Sequence, residues 1–288
     1  NQSKAIIDDA PIIGLKISRT PNPDITWETT TSTNLGIDYG ILKGKISGSI
    51  DYFVKNTTNL LLEVPAPPGS PTSTVVKNID SCVIVNKGWE FSTTFLPLIG
   101  NFKWEITANL TFINNEVKNL PVKQYQTGSA QGQGLTGAYA QIITSGQPLN
   151  VFYGYKVDSI SPKGAVVYVK GFNKKDTLMY LGDPYPDFTW SLNNTFKWKN
   201  FDLTIFIEGV HGNKIFNNTA LLLDIPNIGQ AKNSLKYFVD DGIKGYTPKV
   251  SDRYIEDGSY IRLSSVRLGY SFDFQNKKYV KQLSLYFS

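Results

Sequence analysis

The 288 residues carry 29 Lys and Arg against 24 Asp and Glu, with one Cys, one His and 13% aromatic residues. The charges are scattered rather than gathered into a basic run, so nucleic-acid binding is not expected; Cys82 and His211, each alone, exclude an internal disulfide, a His-rich metal centre and a histidine relay. No stretch reaches the ~18 consecutive apolar residues of a membrane-spanning helix, whereas 24 Gly, 15 Pro, 16 Tyr and 16 Phe favour strands broken by turns.

In chain order, the first long pattern runs from Thr29 to Lys55. Leu35, Ile37 and Tyr39 alternate with Gly36, Asp38 and Gly40. A turn at Leu42-Lys43-Gly44 follows, and then Ile46, Gly48, Ile50, Tyr52 and Val54 alternate with Ser47, Ser49 and Asp51. A period of two on both sides of a tight turn predicts a hairpin whose strands, at roughly ten residues, are long for a soluble protein. The pattern returns at Trp104, Ile106, Ala108, Leu110 and Phe112. It returns again at Phe188, Trp190, Leu192, Phe196 and Trp198, then after a turn near Asn200 at Phe201, Leu203, Ile205 and Ile207, and finally at Val266, Leu268, Tyr270 and Phe272.

Connections between these strands alternate in length. They are short at Leu42 to Lys45, Leu96 to Asn101, Lys199 to Asn200 and Gln275 to Lys278, and long at Asn56 to Asn86, Asn114 to Gln147 and Gly212 to Ser259. Outer-membrane barrels have short turns on the periplasmic side, long loops outside, and strands apolar toward lipid and polar toward the lumen. The expected fold is therefore all-β, an antiparallel transmembrane β-barrel segment, with Trp27, Tyr39, Tyr52, Phe53, Trp89, Trp104, Trp190 and Trp198 near strand ends as interfacial girdles. Two copies of P-D-x-T-W, at Pro23–Trp27 and Pro186–Trp190, open two of the alternating hairpins. Proline suits the start of a strand and not its middle.

Other motifs carry less. Gly132-Gln133-Gly134-Leu135-Thr136-Gly137 fits G-x-G-x-x-G, but polar loop residues precede it and no βαβ unit follows, so a dinucleotide site is not expected. The carboxylate groups Asp8/Asp9, Asp183/Asp187, Asp240/Asp241 and Asp252/Glu256/Asp257 read as solvated loop charges. No catalytic, cofactor-binding or metal residue is assigned, and the chain is read as a non-enzyme.

Several strings then resemble the SusC/RagA family of TonB-dependent transporters. They include Asn22–Thr30, Asn34–Gly40, Gly48–Phe53, Thr57–Leu61, Val64–Gly69 and Asn86–Phe91. Further on come Gly146–Pro148, Phe152–Tyr155, Gly182–Pro184 with Pro186–Phe188, Phe201–Leu203, Gly212-Asn213 and Glu256–Leu263. They occur in family order along the whole chain; Ser81–Val85 departs from a segment that often contains glycine. The resemblance implies that residues 1–288 are part of one receptor-type barrel domain in the outer membrane of a Gram-negative, Bacteroidetes-like bacterium. Roughly ten strands are expected, against about 22 in a transporter with a plugged lumen. It also implies a chain cut at both ends, with the plug, TonB box and N-terminal domain absent. The implied function is import of bulky nutrients, glycans or peptides, driven by TonB through a plug outside this chain. The implied partners are a SusD-like lipoprotein lid, outer-membrane lipids and the substrate. Tyr125, Tyr139, Tyr237 and Tyr246 in the long loops are the candidates for substrate or lid contact. Two other readings follow the same residues less far: a SusC-like barrel that scaffolds an outer-membrane complex without transporting, and a soluble secreted carbohydrate-binding β domain.

Overall fold

Residues that alternate apolar and polar for ten or more positions give an extended strand one apolar and one polar face, and the backbone groups of such strands are satisfied through neighbouring strands. The computed structural model describes residues 2–7, 10–15, 17, 20–132, 134–224, 233, 235–236, 240–243, 248–273 and 281–288.

Strands β1 (Gln2–Ile7) and β2 (Ala10–Leu15) pair as a hairpin. β3 (Thr29–Ile41) and β4 (Ile46–Thr58) form the first long hairpin, turning through Leu42, Lys43 and Gly44, all at positive φ. β5 (Leu60–Pro65) and β6 (Thr74–Ile79) rise as a separate two-stranded sheet before β7 (Val83–Leu98) and β8 (Phe102–Lys118) return to the main one. A second outer sheet has the order β14 (Leu178–Gly182), β11 (Val151–Tyr155), β10 (Tyr139–Ile143), β9 (Tyr125–Ser129), with β12 (Val157–Ile160) and β13 (Val166–Tyr168) as a hairpin beside it. β15 (Phe188–Trp198) and β16 (Phe201–His211) turn at Lys199-Asn200, with Lys199 at φ 51°. β17 (Lys214–Phe216), α1 (Asn218–Leu223) and β18 (Ile255–Asp257) follow, and β19 (Tyr260–Asp273) and β20 (Gln282–Phe287) complete the chain.

Among the described residues, the main sheet has eight strands in the order β20-β19-β16-β15-β8-β7-β4-β3, with its neighbours antiparallel. Cross-strand partners share a face, so the registers read off as rows. One row is Ile37, Ile50, Phe91, Leu110, Trp190, Gly209 and Ile261; the row beside it on the other face is Asp38, Ser49, Ser92, Asn109, Ser191, Glu208 and Arg262. The wall thus carries one apolar and one polar face. The apolar face is open, with Leu35 73% and Ile261 75% exposed. A water-soluble sheet would bury that face against a second layer. Among the described residues no second layer covers Leu35, Ile37, Ile261 or Leu263, each more than half exposed.

The apolar face is bounded by two aromatic belts. The outer one follows Tyr52, Trp89, Phe112, Phe188 and His211, with ring centroids 4.9 Å apart for Tyr52–Trp89, 5.8 Å for Phe112–Phe188 and 5.1 Å for Phe188–His211. The inner one runs through Trp104 and Phe196 at 5.6 Å and through Phe201 and Tyr270 at 4.6 Å. Along β15 the belts are spanned by Phe188 and Trp198. At about 3.4 Å per residue and a tilt of about 40° this separates them by roughly 25 Å, the height of the apolar band of an outer-membrane barrel.

The buried apolar side chains of the described residues lie at or beyond the outer end of this wall. Leu60, Ile79, Cys82, Val117 and Ile143 form one small core; Ala130, Leu135, Ala140, Ala220, Leu221, Val250 and Tyr254 form another. The long connections are therefore folded bodies with interiors of their own. Strands also continue further into them than the alternation predicts: β4 ends at Thr58, β7 begins at Val83 and β8 reaches Lys118. Beyond the belts both faces of a strand meet water or other loops, and the period of two has nothing to enforce it.

Candidate functional site

The second outer core holds a cleft of about 420 Å3 against the β14-β11-β10-β9 sheet. Tyr153 and Tyr155 project from one face of β11, since Gly154 between them points the other way, and Tyr139 stands at the mouth with 38% of its surface exposed. Gly154 is required here because a Cβ would press into the backbone carbonyl of Val250, 2.7 Å away. That close approach lets the Tyr155 N–H donate to the Val250 carbonyl at 2.9 Å and closes the cleft on that side.

The G-x-G-x-x-G string forms the opposite rim. Gly134 and Gly137 both have positive φ, and the turns they permit carry Leu135, 4% exposed, into the core while their backbone lines the cleft. The glycines shape a loop that joins strand β9 to strand β10 and leads into no helix. Lys249 sits 4.7 Å from the Tyr155 ring centroid and 4.9 Å from that of Tyr168, and its ammonium pairs with Asp176 at 3.3 Å. The cation orders the two tyrosines and ties the β12-β13 region to the cleft wall.

A buried ionic group fixes the same loops from below. Asp224, fully buried, accepts from Arg253 Nε at 2.6 Å and from the Tyr254 hydroxyl at 2.5 Å, while Arg253 also reaches Asp241 at 2.6 Å. On the polar face of the wall, Arg262 and Ser264 converge on Glu208. The Arg262 Nε is 3.1 Å, and the Ser264 hydroxyl 2.8 Å, from the same carboxylate oxygen. Ser264 is the unpaired residue of a bulge between the Phe206–Ser265 and Ile207–Leu263 pairs, which aims its hydroxyl at that carboxylate.

Of the four tyrosines singled out in the sequence, Tyr139 lines the cleft. Tyr125 packs against the first core, where burial first and the neighbouring Cys82 second push its hydroxyl above the usual tyrosine range. Tyr237 and Tyr246 lie outside the described residues. Tyr153, Tyr155 and Lys249 are cleft residues that sequence reasoning did not select, although Tyr153 and Tyr155 flank a glycine at the two-residue spacing of one strand face. His211 closes the outer belt against Phe188. The carboxylates Asp252 and Glu256 accept from the Val157 N–H at 2.8 Å and the Asn217 amide at 2.7 Å, so each serves a loop contact.

Comparison with known proteins bears on this architecture directly. The family model described as TonB dependent receptor-like, beta-barrel matches residues 12–288. Among curated proteins, TonB-dependent receptor P3 of Formosa agariphila is 27% identical over 99% of this chain and 31% of its own length. TonB-dependent receptor SusC of Bacteroides thetaiotaomicron is 27% identical over 87% of this chain and 27% of its own length. Among solved structures, that of the RagAB peptide transporter superposes with a TM-score of 0.77 at 21% identity, over 99% of this chain and 33% of the other. That of the RagAB peptide importer in the "open-open" state gives 0.73 at 19%. The chain spans about a third of the length of the relatives it matches.

Proposed function

Because the chain belongs to the TonB dependent receptor-like β-barrel family, we propose that it supplies part of the wall and outer loops of an outer-membrane importer. The observation that carries this reading is the open apolar face bounded by two aromatic belts at the spacing of an outer-membrane hydrocarbon band. Edge strands β3 and β20 then pair with further strands of the same barrel, since unpaired backbone groups facing hydrocarbon cost several kcal/mol each.

In this reading the polar face lines the lumen, and Arg262, Glu208 and Ser264 face whatever fills it. The outer loops meet the substrate and a SusD-like lipoprotein lid. The cleft of Tyr139, Tyr153 and Tyr155 offers flat aromatic faces beside backbone N–H and C=O groups, which suits a sugar ring or an extended peptide. Bulky glycans or peptides are the cargo, and energy reaches the lumen through TonB.

Cysteine labelling of the full-length protein in intact outer membranes tests the wall. Within these 288 residues the one cysteine, Cys82, is buried and burial pushes its thiol up, which keeps its background low; cysteines elsewhere in the full-length protein are first replaced by serine. Introduced at Ser49, Asn109 and Ser191, cysteines are expected to react with a water-soluble maleimide once the lumen is opened. At Ile50, Leu110 and Leu192 they are expected to stay protected until detergent is added. The reverse pattern sinks the membrane reading. Uptake of labelled oligosaccharides and oligopeptides, with and without TonB, separates the two cargo classes, and a folded barrel that takes up neither is a scaffold.

A further inference from the structure

The outer belt is interrupted by a cleft of about 480 Å3, which the wall lines with apolar-face residues and with Gly88, Ile113 and Asn115 of the other face. Its floor is Tyr52, Trp89 and Phe112, consecutive cross-strand partners in the outermost apolar row, with Trp89 47% exposed. One step further out on the same face stand Lys87 and Asn114, which are themselves cross-strand partners. The roof is the segment from Asp183 to Asp187, pinned at both ends. The Asp183 carbonyl accepts from Lys214 N–H at 2.8 Å, and the Asp187 N–H donates to the His211 carbonyl at 2.8 Å.

The site is therefore greasy and aromatic below and polar above, at the level where hydrocarbon gives way to headgroups. Its charges discriminate between headgroups. Among the described lining residues there are two carboxylates, Asp183 and Asp187, against one lysine. A phosphate brought beneath that roof meets like charge. An uncharged sugar meets complementary groups: its hydroxyls donate to the carboxylates and exchange hydrogen bonds with the Asn114 amide, while its C–H face lies on the Trp89 ring.

We propose that this cleft binds the uncharged sugar headgroup of a glycolipid in the outer leaflet, with the alkyl chain descending past Ile50 and Phe91. The proposal rests on the membrane-wall reading above. It makes the outer rim a lipid-recognition site separate from the tyrosine cleft of the loops.

The test uses the full-length protein in lauryldimethylamine oxide, with dodecyl maltoside as the sugar-headed probe and dodecylphosphocholine as its phosphate-headed counterpart, counted by native mass spectrometry. One dodecyl maltoside is expected to be retained preferentially. Trp89→Leu and Asn114→Leu, both compatible with a lipid-facing position, are each expected to weaken retention about tenfold. Heat-modifiable gel mobility identifies variants that remain folded barrels, and either variant alone suffices. Equal retention of both probes overturns the proposal, and so does retention indifferent to both variants. Preferential retention of dodecylphosphocholine that is lost in Lys87→Ala also overturns it. A protein that stays in solution without any detergent overturns the membrane reading instead.

Discussion

The indole Nε1 of Trp104 donates a hydrogen bond to Oδ1 of Asn194 across 3.2 Å. Asn194 is the cross-strand partner of Ile106 and Ile205, so it belongs to the apolar face, where an unpaired amide is costly. The bond pairs the two polar groups with each other. Trp104→Phe is expected to leave the amide unpaired and to destabilise the barrel by about 1–3 kcal/mol. Trp104→Phe combined with Asn194→Leu is expected to recover most of that loss. Denaturant unfolding of the full-length protein in lipid vesicles measures both, and equal stabilities for the single and double variants refute the pairing.

A second relationship on this face is between Trp190 and Gly209, cross-strand partners in which the indole lies over the bare glycine backbone. A Cβ at position 209 would overlap the ring, so the indole must leave its place over the glycine. Gly209→Ala is expected to cost about 1–3 kcal/mol, read by the same unfolding assay. A neutral result means the ring is free to move.

Where membrane imposes a period, the sequence was legible. The turns at Leu42–Gly44 and Lys199-Asn200, and the faces of Leu35, Ile50, Leu110, Leu192 and Leu268, follow from alternation alone. The alternation slips at Ser264-Ser265 because a bulge inserts one residue, and a sequence pattern cannot distinguish that slip from the end of a strand. Asn194 was invisible as a member of the apolar face because its acceptability depends on Trp104, ninety positions away in the chain. The tyrosine cleft was half legible: Tyr139 stood out as a loop aromatic. Tyr153 and Tyr155 sit on a five-residue strand, too short for its pattern to say which face is open.

Asp224 holds the outer loops by a charge that water does not reach. Asp224→Ala removes the partner of Arg253 Nε and of the Tyr254 hydroxyl. Arg253 keeps Asp241 at 2.6 Å, so the expected loss is about 1.5–3 kcal/mol of local stability, the scale of a lost hydrogen bond to a charged group. Limited proteolysis of cells displaying the full-length protein is expected to cut between α1 and β18 much faster in the variant, while the wall keeps its heat-modifiable mobility. Unchanged cleavage means the network is dispensable.

The Asp183 carboxyl is raised above the usual carboxylate range, by burial first and by like charge from Asp187 as well, although the Tyr185 N–H that it accepts at 2.9 Å pulls the other way. A raised pKa favours the neutral form in the folded loop. Its stabilisation is fully present below the ordinary carboxyl value and is lost as pH rises through the raised one. Asp183→Asn, neutral throughout, is therefore expected to be the more thermostable form at pH 7, with the difference shrinking as pH falls through that window. A difference that is flat with pH contradicts the assignment.

The two small cores of the outer loops and the open face of the wall obey opposite solubility rules within one chain. Leu221 and Val117 are inside because water is outside; Leu35 and Ile261 are outside because oil is. A saturation scan that replaces each leucine or isoleucine by aspartate would mark both classes as intolerant, and so conceal the boundary. Replacement by alanine, scored for folding in the outer membrane, would spare the wall, where lipid fills the space a shortened side chain leaves, and still open cavities in the loop cores. The line between tolerated and damaging positions would then trace the plane at which the membrane begins, from genetics alone.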